Sequence, residues 1–280
     1  MNVISLPSLS SSVGSASEFT GGVQVVPVLK TGEPTNLSVR SLTFDRSART
    51  LWHSCPLGQL IIVQHGGGLV QQRGRSVQQV SDRAVVWVPP NVDHWHGGGS
   101  GGDSTHIAVQ QDVHNGATVQ WKEPVDDSAD TAQPQPPRSV DQSALQVFHS
   151  ASLPTSSEHN AHFTGTVYLT PLLTALAPAN VVAMSVTFNC CARSDWHSHP
   201  QGQLLVVTGG SGLIQQRGQR VRRLTPGDVV WTPPDVEHWH GASKDYTLTH
   251  IAVVWSKDGS IVSWKEPVGD AEYSAEPEQA

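Results

Sequence analysis

Histidine is the residue most able to do chemistry in this sequence. His197, His199, His238, His240 and His250 fall in one stretch of the second half, with Gln203 among them. Successive side chains of a strand point to opposite faces, so residues two and four apart share a face. His197, His199 and Gln203 therefore project to one side if a strand continues through them, with Ser198 turned away. His238 and His240 share a second inward face and Trp239 lies outside it. His250 precedes Ile251-Ala252-Val253, which reads as a third strand. Three strands thus direct five imidazoles and one amide at a common interior. Such neutral donors leave a divalent ion's charge uncompensated, making a strong Lewis acid for an anionic or carbonyl oxygen. A lone buried histidine is ordinarily a hydrogen-bonded core residue; five at matched parity are poorly explained that way.

The elements that position these residues occur twice. His53 stands against His197, His94 against His238 and His106 against His250, a constant offset of 144 residues. The offset reaches back to Phe19-Thr20-Gly21 against Phe163-Thr164-Gly165. It slips by one later, where Trp121-Lys122-Glu123-Pro124 matches Trp264-Lys265-Glu266-Pro267. Self-similarity of this kind is the mark of a duplicated domain. Within each copy, short apolar runs alternate with turn signals. Gln203–Thr208 closes at Gly209-Gly210, and Asp228–Thr232 runs from Thr225-Pro226-Gly227 to Pro233-Pro234. Short strands at this spacing predict an all-β chain of two small barrels or jelly rolls.

Composition agrees. Gly and Pro number 25 and 19, and helix formers are sparse. The formal charge of -7 offers no basic stripe, which excludes nucleic acid as an expected partner. Three cysteines, two of them adjacent at Cys190 and Cys191, make no disulfide framework and suit a reducing compartment. The first residues have no basic, apolar leader and no apolar run approaches membrane-spanning length, so a cytoplasmic protein without membrane contact is expected. The expected organisation is an N-terminal domain over 18–125, a Pro-rich linker over 126–143, a C-terminal domain over 144–268 and a loosely held acidic tail over 269–280. The polar stretch Ser8–Ser17 is expected to be disordered at its start.

His197-Ser198-His199 with Gln203, then Pro226-Gly227-Asp228, Pro233-Pro234 and His238, resembles the two motifs of the cupin superfamily. The resemblance covers about 100 residues of each half and implies double-stranded β-helix barrels, hence a bicupin. It implies His197, His199, Gln203 and His238 as ligands of one divalent transition metal, with Mn or Fe favoured and Ni, Zn or Cu open. Phe163-Thr164-Gly165-Thr166-Val167, Trp196–Gln203, His238–Gly241 and Thr249–Ala252 are similar to small bacterial cupins. Those include manganese-dependent hydroxynitrile lyases and cupins related to carboxymuconolactone decarboxylases. That closer likeness implies His240 and His250 near the substrate. The first half keeps His53, Gln59 and His94 but has Cys55 at the second ligand position. A second metal there is open between an altered site, with a thiolate ligand, and a vestigial one.

An amide at 203 cannot move protons as a carboxylate could, so proton transfer falls to His240 and His250. These features favour an enzyme acting on a small oxygenated organic substrate, of lyase, decarboxylase or isomerase type. The alternatives are a metal-dependent dioxygenase, as in quercetin-cleaving bicupins, and a non-enzymatic small-ligand or metal-binding module. A tandem chain can pair its sheets internally, and a further homodimer is expected.

Overall fold

The computed structural model describes residues 1–113, 118–126, 143–158, 162–175 and 177–277. The expected linker over 126–143 lies, apart from its two end residues, outside the described residues. The described chain is all-β but for short turns of helix. It divides into two compact units, Ser8–Ala151 and Met1–Pro7 with Ser152–Ala280. We call these the N-terminal and C-terminal units.

In the C-terminal unit one antiparallel sheet runs Asn2–Ser5, Asp228–Thr232, Gln203–Gly210, Leu248–Trp255, Val181–Phe188, Val167–Thr174 and Ser156–Glu158. The second sheet centres on His238–Ala242, flanked by Gly212–Gln216, Arg193–Ser194 and His197–Ser198, with Ser263–Trp264 beyond. Alternation is visible in Val181–Phe188, where Val181, Ala183 and Phe188 are buried and Val182, Met184 and Thr187 less so. The inward residues Val167, Phe188, Leu205, Val207, Ile214, Val230 and Leu248 form one core cluster between the sheets. Burying such side chains contributes about 1.5–3 kcal/mol each, the main force holding the sheets face to face.

The N-terminal unit repeats the plan. Its large sheet runs Gln146–Phe148, Val85–Val88, Gln59–His65, Ser104–Gln111, Leu37–Phe44, Val23–Lys30 and Ser12–Val13. Its smaller sheet centres on His94–Gly97, against Gly68–Gln72, Arg49–Thr50 and His53–Ser54.

Four segments depart from the sequence reading. Gln146–Phe148, expected in the second domain, lies against Val85–Trp87 in the N-terminal unit. Asn2–Ser5 occupies the corresponding edge of the C-terminal unit, with Val3 opposite Val230. The reason is edge pairing: each exposed strand has backbone donors and acceptors that a neighbouring strand satisfies. Ser8–Ser17 is not without structure, because Ser12–Val13 pairs with Gln24–Val25. The described part of the acidic tail is held at its start: Asp270–Tyr273 forms a helical turn and Tyr273 is buried. Among the described residues no helix is long and apolar enough to cross a membrane.

Removing residues 1–7 strips the strand opposite Asp228–Thr232 and the bond from the Met1 amino group to Gln216 Oε1 at 2.6 Å. A loss of about 1–3 kcal/mol is expected, lowering the melting temperature by several degrees. An unchanged calorimetric midpoint would contradict the pairing.

Candidate metal centre

Gly202 begins the site. Its φ is +79°, and a Cβ there would lie 2.5 Å from the Trp231 ring and 2.7 Å from the Thr232 carbonyl oxygen. Only glycine fits, and the turn closed by Gly202 N–H to the His199 carbonyl at 3.1 Å swings Gln203 inward. His197 lies directly opposite His238 across the ladder, with ring centroids 4.3 Å apart. Trp264 is opposite His197 on its other side and packs at 5.0 Å. Trp239 points to the far face, as parity requires, and donates its indole N–H to Gln215 at 2.8 Å.

Three imidazoles are anchored alike. Nδ1 of His197 contacts the Asp195 carbonyl at 2.9 Å, Nδ1 of His199 the Ile261 carbonyl at 2.5 Å, and Nδ1 of His238 the Val236 carbonyl at 3.0 Å. A carbonyl only accepts, so each Nδ1 carries the proton and each Nε2 is bare. His238 Nε2 then faces Gln203 Oε1 at 2.9 Å, one acceptor against another. His199 Nε2 is buried with no hydrogen-bond partner. Bare lone pairs confronting one another in a buried site are costly unless a cation lies among them. The donor set of His197, His199, Gln203 and His238 therefore fits a divalent metal ion.

His240 and His250 stand beside this set. Ring nitrogens of His197, His238 and His240 lie within 4.8 Å of one another, the one such group of three among the described residues. His199 falls outside that tight group, with ring centroids 5.1 Å from His197 and 5.7 Å from His238. His240 Nδ1 is 3.2 Å from His250 Nε2, while His250 Nδ1 is buried without a partner. Phe188 packs against both rings.

In the N-terminal unit His53 Nε2 and His94 Nε2 both approach Gln59 Oε1, at 3.3 and 2.8 Å. The Gln59 amide nitrogen donates to Gln110 Oε1 at 2.7 Å, a partner that Val254 cannot supply in the other unit. Burial pushes the Cys55 thiol up to about 12, so it is protonated and a poor ligand at neutral pH. His106 is tied down by the Ser104 hydroxyl at 2.8 Å, where Leu248 replaces the serine in the C-terminal unit.

Comparison with known proteins gives the family and the fold. The cupin domain family matches residues 186–254. An (R)-mandelonitrile lyase from Granulicella tundricola is 49% identical over 111 residues, covering 40% of this chain and 85% of that protein. The chain belongs to the cupin superfamily. A cupin-like protein from Thermotoga maritima is 41% identical, covering 42% of this chain and 90% of its own, with a TM-score of 0.41. A variant of the Bacillus subtilis oxalate decarboxylase covers 94% of this chain and 78% of its own, with a TM-score of 0.63 at 14% identity. That likeness shows the fold, and with the internal repeat it makes this chain a bicupin.

Sequence reasoning missed several groups that shape the bicupin's site. The Asp195, Val236 and Ile261 carbonyls carry no side-chain signal at all. Trp264 had one, in the repeated Trp-Lys-Glu-Pro, which was readable as duplication but not as a wall of the site. His162 stacks on Trp264 at 4.5 Å and lies 3.7 Å from the Asp195 carboxylate.

Burial keeps the cluster neutral. It pushes His199 down to about 4 and His250 to about 3. His197, His238 and His240 lie well below the usual imidazole range, through burial first and neighbouring imidazoles second. His53 and His106 are lowered to about 4, also by burial. Because the unfolded chain has ordinary values near 6.5, it binds more protons than the folded protein below that pH. The stabilisation is complete above about pH 6.5 and is lost as pH falls toward 4. Metal-free protein should therefore lose melting temperature steeply between pH 6.5 and 4, with uptake of several protons per chain on unfolding. A flat profile across that window would contradict neutral buried imidazoles.

Proposed function

We propose that the C-terminal unit is a metal-dependent lyase acting on a small α-hydroxy substrate of the cyanohydrin type. Two sets of nitrogens carry this reading. His238 Nε2 meets Gln203 Oε1 beside the His197 ring, His199 Nε2 is buried nearby without a partner, and a separate His240–His250 pair has one ring nitrogen unpartnered. The relative named (R)-mandelonitrile lyase, 49% identical over most of its length, supports the substrate class.

His197, His199, Gln203 and His238 would hold the ion, Mn or Fe by the balance of imidazole and amide oxygen donors. When bound, it supplies Lewis acidity toward the substrate's oxygen without any anionic ligand to blunt it. The proton moves through the protein. With His240 Nδ1–H donating to His250 Nε2, His240 presents a bare Nε2 that accepts the substrate hydroxyl proton. The carbon–cyanide bond breaks with its electron pair on cyanide, leaving the aldehyde. The same proton returns from His240 Nε2 to cyanide, so the protein ends unchanged. Burial keeps the pair neutral and so able to act as a base at neutral pH. Phe188 and Trp264 exclude water around the imidazoles.

The test is cyanide release from (R)-mandelonitrile by manganese-loaded protein. His240→Gln should lower kcat about 100-fold or more with metal content retained, while His197→Ala should lose both metal and turnover. Turnover that requires oxygen would replace the lyase by a dioxygenase, and metal binding with no turnover of any hydroxynitrile would leave a binding module.

The two units should differ in affinity. Metal analysis after dialysis is expected to give one tightly held ion per chain, and Cys55→His to raise the count toward two. A wild-type count of two would instead make Cys55 a ligand.

A further inference from the structure

Tyr273 is seated in the C-terminal unit by three contacts. Its ring lies 4.7 Å beneath the Arg193 guanidinium and 6.0 Å from the Trp239 ring, and its hydroxyl donates to the Ala242 carbonyl at 3.0 Å. Trp196, Leu213, Val221 and Val268 complete the cluster around it. Arg193 keeps its bond to Asp270 at 2.7 Å and its bonds to the Val268 carbonyl while it stacks, so the ring uses only the guanidinium face.

The N-terminal unit builds the same seat from the repeat. Arg49, Trp95 and Gly98 stand where Arg193, Trp239 and Ala242 stand, and Leu69 and Val77 where Leu213 and Val221 stand. The corresponding cluster is Trp52, Val77, Trp95 and Val125 with Leu69, and it contains no tyrosine. A cleft of about 470 Å³ opens at this place, lined by Arg49, Leu69, Val77, Trp95 and Gly98 among others. The acceptor is presented in the same way. Gly98 N–H donates to the Ala48 carbonyl at 2.8 Å as Ala242 N–H does to the Ala192 carbonyl at 2.9 Å. Trp95 spends its indole N–H on Gln71 at 2.7 Å, and Arg49 lies over its ring at 5.5 Å. The rim is glycine-rich: a Cβ at Gly101 would meet nothing within 4 Å, and one at Gly99 only Gly68 Cα at 3.9 Å.

We propose that this cleft binds a small para-substituted phenol, with its ring against Arg49 and Trp95 and its hydroxyl on the Gly98 carbonyl. The duplicated unit supplies the template, since its own tyrosine side chain is such a phenol in an equivalent seat. Flat aromatic rings and guanidinium faces attract each other, and the buried carbonyl selects a hydroxyl donor. The site lies apart from the proposed lyase chemistry and does not depend on it.

The probe is 4-methylphenol, the tyrosine side chain as a free molecule, titrated into the full chain by calorimetry and saturation-transfer NMR. One saturable site with a dissociation constant on the order of a millimolar is expected from a ligand of this size. Toluene, lacking the hydroxyl, should bind about tenfold more weakly. Gly99→Phe fills the cleft from its open rim without disturbing the core and should abolish binding, with Val77→Trp as the deeper block. No saturable binding, equal affinity for toluene, or binding that survives Gly99→Phe in folded protein would each overturn the proposal.

Discussion

The candidate site depends on the bonds between imidazole Nδ1–H groups and backbone carbonyls. An imidazole free to rotate and tautomerise offers no fixed lone pair. Here Asp195, Val236 and Ile261 each accept one proton through their main chain, and the three Nε2 atoms are thereby turned inward and bare. The confrontation of His238 Nε2 with Gln203 Oε1 follows from that constraint, as does the stranded Nε2 of His199. Short connections between strands supply the carbonyls, so the loops of the barrel orient the donors that its strands enclose.

The two units show how few substitutions separate a complete donor set from a compromised one. The strands, the core and the carbonyl anchors of the first and third histidines are kept. What changes is Cys55 for His199, Gln110 for Val254 and Ser104 for Leu248. The first removes a donor, the second takes up the amide of Gln59, and the third ties the ring that remains mobile in proton terms in the other unit. The third leaves both nitrogens of His106 bonded, where His250 keeps one without a partner. Stability and reactivity thus pull in opposite directions at matched positions.

Much of this was legible in the sequence because strand parity is a rigid rule. The shared inward face of His238 and His240 and the outward Trp239 follow from a period of two, whereas the register that sets His197 opposite His238 does not. The all-β class followed from turn residues and the repeat. The leading strands did not, since Asn2–Ser5 and Gln146–Phe148 share little beyond Val3 and Val147 and are recognisable only by what they pair with. Tyr273 was unreadable for a related reason. An acidic tail has the composition of a solvated segment, and only the Arg193 and Trp239 surfaces, far off in sequence, give it a place to dock.

The leading strand has a consequence for how the chain comes to be folded during its synthesis. The N-terminal unit is one continuous stretch and holds all its strands once residue 151 has emerged. The C-terminal unit is discontinuous: Asn2–Ser5 leaves the ribosome before the whole N-terminal unit and waits until Asp228–Thr232 is made. In that interval its hydrogen-bonding edge is open, and the strand it will cover does not yet exist. The order of emergence therefore favours completing the unit with the compromised site before the one with the full donor set.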